Sequence, residues 1–477
     1  MTAETIAHEV SGEQARMAKV FRAQKEAFED ERHRTIEDRK TDLKKIEAMI
    51  KARGDDFARA IDADFGRRSS AETAVGESGF VIATAKHARQ HLVRWASTKK
   101  KPVPMTLAPG TAYVRREPKG VVGVVAPWNY PMQLALAPLV AALAAGCRVM
   151  IKPSEFTPAT SKLLKETLAE LFAEDHVAVI EGGPDIAKAF CDLPFDHLLY
   201  TGSTQVGRMV AQAAAKNLTP VTLELGGKSP TVIAPDFDLA QAAKSIAWGK
   251  FFNAGQTCIA PDYAMAPRGS EKAFGEAVMA EANAMWPNVA ENADYTAIVS
   301  ERHHERLTAM VEEVRSAGAT VLQADFDKAK AGNTRIFPPT VVIDPPRDSK
   351  LMTEEIFGPI LPVIGHDGLS DAAKYINKGD RPLALYIYSK SKTTARRFLA
   401  RTISGGAGVN IPMLHISVED MPFGVGASGQ GAYHGEYGFL TFTHERGVFE
   451  APVWHPSRLV APPYGKVFEF FKKLQTG

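Results

Sequence analysis

The sequence predicts an α/β protein of two domains joined near residue 226, and three observations predict it. At 477 residues the chain exceeds what one hydrophobic core ordinarily serves. From Val121 onward, short apolar runs alternate with longer amphipathic ones, the pattern of βαβ units on a parallel sheet. After Leu225 a second alternating region continues to about Asn410. Hydrophobic residues at 45% and charged residues at 23% suit an ordinary globular chain. A net charge of +2 lacks the basic excess that a nucleic-acid partner demands, so none is expected.

At the N-terminus, residues 1–12 mix Glu4, His8 and Glu9 with small side chains and lack the basic flank and apolar run of a signal peptide. Ile36, Leu43, Ile46, Ile50, Phe57 and Ile61 recur at helical spacing and predict a long amphipathic helix over 36–61. Lys99–Lys101 and then 103–115, around Ala108-Pro109-Gly110, read as two short strands joined by a turn. Such a hairpin serves subunit contact or is a plain surface loop. Strands are expected at 121–126, 149–151, 177–181, 198–201 and 221–225, separated by helices at 134–145, 159–173 and 206–216. In the second region strands are expected at 341–343 and 383–388, with helices at 271–285 and 393–402. The apolar stretch 132–146 is broken by Gln133 and Pro138 and is too short to span a bilayer, so a buried helix and no integral membrane segment are expected. In the tail, Val467, Phe468, Phe471 and Leu474 fall on one side of a short helix and Lys472 and Lys473 on the other, suited to docking on its own protein or a second subunit, with membrane anchoring as the alternative. Cys147, Cys191 and Cys258 have no C-x-x-C spacing, which argues against a disulfide framework or a cysteine-built metal site and suits a reducing cytoplasm.

Ligands of open parallel sheets bind beyond the carboxyl ends of the strands, and polar clusters stand at those ends here. Pro127-Trp128-Asn129-Tyr130 follows the first strand, and Lys152-Pro153-Ser154-Glu155 follows the second. Thr201-Gly202-Ser203-Thr204-Gln205-Val206-Gly207 follows the fourth and opens a helix. Backbone N–H groups at such a start favour a phosphate, although a capped helix after a tight turn explains the same residues. Lys152 and Glu155 suit the hydroxyls of a ribose, or are surface charges. Cys258 ends Asn253-Ala254-Gly255-Gln256-Thr257-Cys258; a lone free cysteine is more often a small buried hydrophobe than a nucleophile. Strand alternation places Glu224 opposite Val221, Leu223 and Leu225, facing either water or a site.

Pro127-Trp128-Asn129, Lys152-Pro153-Ser154-Glu155, Thr201-Gly202-Ser203, Leu223-Glu224-Leu225-Gly226-Gly227-Lys228, Gly255-Gln256-Thr257-Cys258 and Glu355-Ile356-Phe357-Gly358-Pro359 together resemble the motifs of the aldehyde dehydrogenase superfamily, in that family's order, over about residues 20 to 450. Cys258-Ile259-Ala260-Pro261-Asp262-Tyr263 and Gly431-Ala432-Tyr433-His434-Gly435 resemble the class 3 branch, and Ala63-Asp64-Phe65-Gly66 with Arg68-Ser69, and the tail Pro462-Pro463-Tyr464-Gly465-Lys466, resemble coniferyl aldehyde dehydrogenases. Two stretches depart: Pro422-Phe423-Gly424-Val425-Gly426-Ala427-Ser428-Gly429 is one residue shorter than the family pattern, and Ile411 stands where the branch usually carries Asp.

The resemblance implies a Rossmann-like dinucleotide-binding domain (1–98 and 119–225), a second α/β catalytic domain (226–410), and a small β oligomerisation arm (99–118 and 411–477) of a homodimer. It implies Cys258 as nucleophile, Glu224 as general base and the Asn129 amide as oxyanion donor. Lys152 and Glu155 would meet the adenosine ribose of NAD, and Gly202 to Gly207, through Ser203, Thr204, Gln205 and Val206, its pyrophosphate and adenine. Glu355 and Phe357 would meet the nicotinamide side; Trp128, Thr201 and Leu225 complete the cofactor set, and Tyr130 and Phe423 line the substrate pocket. Glu155 would repel a 2′-phosphate, favouring NAD, although class 3 relatives often accept NADP. The implied substrate is a small-molecule aldehyde of aromatic or apolar character, with medium- and long-chain aliphatic aldehydes as the alternative. Two other readings compete: a cofactor-free cysteine acyltransferase or hydrolase, which leaves Lys152, Glu155 and Glu355 without work, and a silent structural protein, against which Asn129, Glu224 and Cys258 all count.

Overall fold

The computed structural model describes residues 3–332, 334–453 and 461–476, with backbone alone for 3–11, 106, 471 and 474–476. Two helices, Ala3–Asp30 and Ile36–Phe65, open the chain. The second starts in a reciprocal cap, Thr35 Oγ1 accepting from Asp38 N and the Asp38 carboxylate from Thr35 N, and stops at Gly66 with φ 75°. Its apolar face (Leu43, Ile46, Ile50, Phe57, Ile61) is buried, as the spacing predicts. The first helix buries Met17, Val20 and Phe21 against the far face of a sheet, a stripe too sparse to announce a helix.

β1 (Lys99–Lys101) pairs antiparallel with β2 (Thr111–Pro118). The two short strands joined across Ala108-Pro109-Gly110 are formed as the sequence predicts; Pro102 and Pro104 cannot donate to a ladder, so the chain between the strands turns through Met105–Leu107 and β2 begins at Thr111.

The next strands build the first domain: β3 (Val121–Val125), β4 (Arg148–Lys152), β5 (Val177–Val179), β6 (His197–Thr201) and β7 (Val221–Glu224), all parallel, in the order β7-β6-β3-β4-β5. Residue alternation divides their side chains between two cores. Val122 and Val124 join the fully buried helix Gln133–Ala145 and the face of Ile36–Phe65, whereas Val121 and Val125 pack with Met17 and Phe21. The connecting helices Pro158–Leu171, Pro184–Cys191 and Thr204–Ala215 complete a doubly wound unit whose strand order switches direction at β3.

A seven-stranded sheet forms the second domain from β8 (Pro230–Ile233), β9 (Tyr263–Pro267), β10 (Thr320–Gln323), β11 (Thr340–Ile343), β12 (Ile360–His366), β13 (Ala384–Tyr388) and β14 (Gly406–Val409). Its order is β10-β11-β12-β9-β8-β13-β14, parallel except at β10 and β11.

The segment after 411 divides between two sheets. β15 (Gly429–Gln430) adds antiparallel to β7, Gly429 opposite Glu224, and β16 (Thr443–Glu450) adds antiparallel to β2. Residues 429–430 thus complete the dinucleotide-type sheet instead of following the arm, because the edge of β7 offers unpaired backbone groups that they satisfy. In the tail helix Lys466–Thr476, Val467 and Phe470 are exposed, and the side chains of Phe471 and Leu474 lie outside the described residues. Among the described residues no helix is long and apolar enough to cross a membrane.

Candidate active site

The register of the first sheet brings the polar clusters to one edge. Val125 lies opposite Lys152 on one side and Tyr200 on the other, and Thr201 lies opposite Glu224. The turn carrying Trp128, Asn129 and Tyr130, the ammonium of Lys152, the start of the helix Thr204–Ala215 and the carboxyl of Glu224 therefore share the crevice where parallel sheets take ligands. Lys152 is buried to 1% exposure with Nζ donating to the Pro153 carbonyl, while Glu155 is exposed. Ser203 caps the helix by accepting from Val206 N at 3.4 Å; Thr204 Oγ1 donates to Ala427 O at 3.3 Å, and Gln205 and Val206 face outward. The buried Thr201 hydroxyl has no partner among the described residues. Gly207 lets this helix approach β7: a Cβ there would stand 2.5 Å from Leu225 Cδ2.

Glu224 is 4% exposed, and neither carboxyl oxygen finds a hydrogen-bond partner among the described residues. Burial alone pushes its pKa well above the ordinary value, because an ionised carboxylate there has no compensating donor. Two residues on, Gly226 and Gly227 receive the carboxyl of Glu355, which accepts from Gly227 N at 3.0 Å. A Cβ at Gly226 would lie 2.0 Å from Glu355 Oε2, so glycine is required for that approach. Burial raises Glu355 to about 7. Arg306 donates to the Glu355 and Ile356 carbonyls and Asp262 Oδ2 accepts from Ile356 N, which fixes the turn into Phe357 (φ 48°). The Phe357 ring meets Trp128 edge-on at 5.3 Å.

Cys258 is the one cysteine of the three that is not buried. Burial, then the carboxyls of Glu355 and Glu224, push its thiol up to about 12. The chain reaches it through Asn253 (φ 52°), Ala254 (φ 49°) and Gly255 (φ 71°), left-handed conformations that cost about 1–2 kcal/mol each for the two non-glycine residues. Local bonds over-determine that turn. Asn253 N donates to Glu72 Oε2 (2.9 Å), Gln256 Nε2 donates to the Asn253 and Ala297 carbonyls (3.1 and 3.0 Å), and Val299 N donates to Gln256 Oε1 (3.0 Å). Asn129 Nδ2 donates to Gln256 O at 3.1 Å, which leaves its second amide hydrogen for another acceptor. The Tyr130 hydroxyl bonds Thr257 Oγ1 at 2.7 Å, spending its polar end on the cysteine loop. Phe423 packs against Tyr433 and His434 at 5.6 and 4.4 Å and borders a cavity of about 450 Å³ with Gly431, Tyr437 and Leu440.

A part-exposed thiol, a buried carboxyl without a hydrogen-bond partner and an amide with one hydrogen to spare are the groups that covalent chemistry on a carbonyl uses. Residues 1–448 match the Aldehyde dehydrogenase family. The chain belongs to the aldehyde dehydrogenase family. It is 45% identical over 420 residues to the probable coniferyl aldehyde dehydrogenase of Caulobacter vibrioides, covering 86% of each chain. A substrate-bound structure of Staphylococcus aureus AldH superimposes with a TM-score of 0.91 at 36% identity, over 96% of this chain and 99% of that one. The Mycobacterium tuberculosis aldehyde dehydrogenase complexed with NAD+ gives 0.83 at 28% identity, over 92% and 91%. As an aldehyde dehydrogenase the chain is an oxidoreductase acting on an aldehyde group.

Sequence reasoning named the reacting and cofactor-facing residues but missed two charged side chains that support the loops, Glu72 and Arg306. Their signal was their rarity as buried charges, which a linear pattern does not display.

Proposed function

We propose that the enzyme oxidises an aromatic or apolar aldehyde of the coniferyl aldehyde type to its acid with NAD, through a thioester on Cys258. The carrying observation is the pairing of a part-exposed Cys258 with the buried, unpartnered carboxyl of Glu224. The residues at the crevice fit a dinucleotide: the orphaned Thr201 hydroxyl, the glycine-bearing helix start and the exposed Glu155 beside Lys152 supply donors and acceptors where one would lie. Bound there, NAD would supply the hydride acceptor that an aldehyde oxidation needs. Trp128, Leu225, Glu355 and Phe357 would shape the nicotinamide end, and Thr201 to Gly207, with Lys152 and Glu155, the adenosine and phosphate end.

The chain's own residues do the rest. The Cys258 thiolate attacks the aldehyde carbon and the Asn129 amide, with the Cys258 backbone N–H, holds the oxygen that becomes negative. Glu224 takes a proton from water, which then cleaves the thioester. Tyr130 and Phe423 border the substrate channel with Tyr433 and His434. The three-stranded arm, with its β16 edge, suits a homodimer, and the free cysteines suit a cytoplasmic setting.

The test is NADH formation across coniferyl aldehyde, benzaldehyde and a C6–C10 aliphatic series. The expected order of kcat/KM puts coniferyl aldehyde first by about tenfold or more. Preference for the aliphatic series, or for short charged semialdehydes, overturns the substrate assignment. Gly207→Val bears on the cofactor end. Its side chain collides with Leu225, pushes the helix start from β7 and is expected to weaken NAD binding by about tenfold. Fluorescence titration with NAD checks this, and an unchanged Kd refutes it.

A further inference from the structure

Behind the turn of Asn129 lies a buried ionic cluster that the chemistry above does not use. The side chains of Arg68 and Glu77 are both fully buried, their charged atoms 3.7 Å apart. Arg68 Nη1 donates to the Asn129 carbonyl at 3.0 Å, and its guanidinium lies over the rings of Phe65 and Tyr130 at 4.8 and 5.1 Å. The same Asn129 carbonyl accepts from Asn253 Nδ2 at 3.2 Å, which ties the turn to the cysteine loop. Glu77 Oε2 accepts from Met132 N and Gln133 N (2.8 and 3.0 Å), where the helix Gln133–Ala145 begins. Glu72 Oε2 accepts from Asn253 N and from Thr296 Oγ1 at 3.0 Å. One guanidinium thus pairs with the Glu77 carboxyl, Glu72 holds the cysteine loop, and the three groups brace the segments on both sides of the reacting space.

The local backbone is bent to allow this. The chain from Ser70 to Ala96 is helical, but Ala74–Gly79 winds as a π-turn, a form rare in helices and concentrated at functional sites. The wider turn carries Glu77 inward and sets Gly76 against Tyr130, where a Cβ would lie 3.1 Å from Cε1. A buried ion cluster is weak evidence for stability, since apolar replacements often serve as well. Its contacts here go to the turn of Asn129 and the loop of Cys258.

We infer that Arg68, paired with Glu77, is the positioning residue for the Asn129 amide, fixing through the Asn129 carbonyl where the oxyanion donor points. The inference rests on the reading of Asn129 as that donor. Arg68→Lys keeps the charge beside Glu77 but loses the planar fork that reaches the carbonyl.

The test measures aldehyde oxidation and the cofactor-free hydrolysis of an aryl acetate, which needs the same oxyanion donor and no dinucleotide. Arg68→Lys is expected to unfold within a few degrees of wild type while kcat falls about tenfold to hundredfold in both assays, with KM changed less than about twofold. In an Asn129→Ala background the same substitution is expected to add no further loss, the signature of acting through Asn129. Glu77→Gln, whose amide oxygen still accepts from Met132 N and Gln133 N, is expected to fall less, and it carries the same comparison if Arg68→Lys does not fold. Wild-type kcat in the folded variants, a rise in KM alone, or additive losses with Asn129→Ala overturn the inference. Asn129→Ala by itself tests the underlying reading: full activity there removes the oxyanion role, whereas loss there with an active Arg68→Lys removes only the positioning.

Discussion

Cys258→Ala is expected to abolish aldehyde-dependent NADH formation, by at least about 10⁴-fold, while the folded protein still binds NAD. No other cysteine is placed to substitute. Cys147 and Cys191 are buried, and burial pushes both thiols up to about 11. Cys147 Sγ also bonds the Phe442 carbonyl at 3.2 Å, as an inert core sulfur does. Their alanine variants serve as controls and are expected to keep kcat within about twofold. The measurement is a progress curve at 340 nm together with intact mass after a pulse of aldehyde and NAD. Turnover without Cys258 ends the covalent scheme.

Glu224→Gln is expected to separate the two halves of the reaction. Thioester formation continues, one equivalent of NADH appears as a burst, and the steady rate then falls about 10² to 10⁴-fold because no group takes the proton from the attacking water. Mass spectrometry is expected to find the acyl adduct accumulated on the protein. The pH dependence follows from the direction of the shift. Burial raises the pKa of Glu224, and only the ionised form accepts a proton, so hydrolysis weakens as pH falls through that raised value and strengthens above it. Cys258 is shifted the same way and must also lose its proton, so thioester formation is likewise expected to strengthen as pH rises. Loss of the burst together with the steady rate assigns Glu224 to acylation instead.

The parallel domains were legible because their signal is local. Runs such as Val121–Val125 and the helix face of Leu43, Ile46 and Ile50 state their period within a few residues. The candidate site was legible for a related reason: Glu224 interrupts an apolar strand just before two glycines, and the residues at strand ends come together once the sheet is parallel. What sequence spacing did not disclose depends on distant pairing. β15 is two residues long and exists only because β7 offers an edge, so 411–477 reads as one trailing segment until Gly429 is found opposite Glu224. The pairing of Arg68 with Glu77 is likewise invisible in spacing, and only the π-turn and the Asn129 carbonyl give these two an inward address.

The antiparallel seam between β15 and β7 also bears on how the molecule is made. During synthesis the strand that carries the carboxyl is complete about two hundred residues before its outer neighbour leaves the ribosome. Over that interval the Leu225 amide has no Ser428 carbonyl to meet, and a bare rim of backbone is open to any passing strand. A chain cut short ahead of residue 429 would retain nearly every motif of the enzyme yet leave that rim unprotected, and it is the nascent form that would gain most from a chaperone.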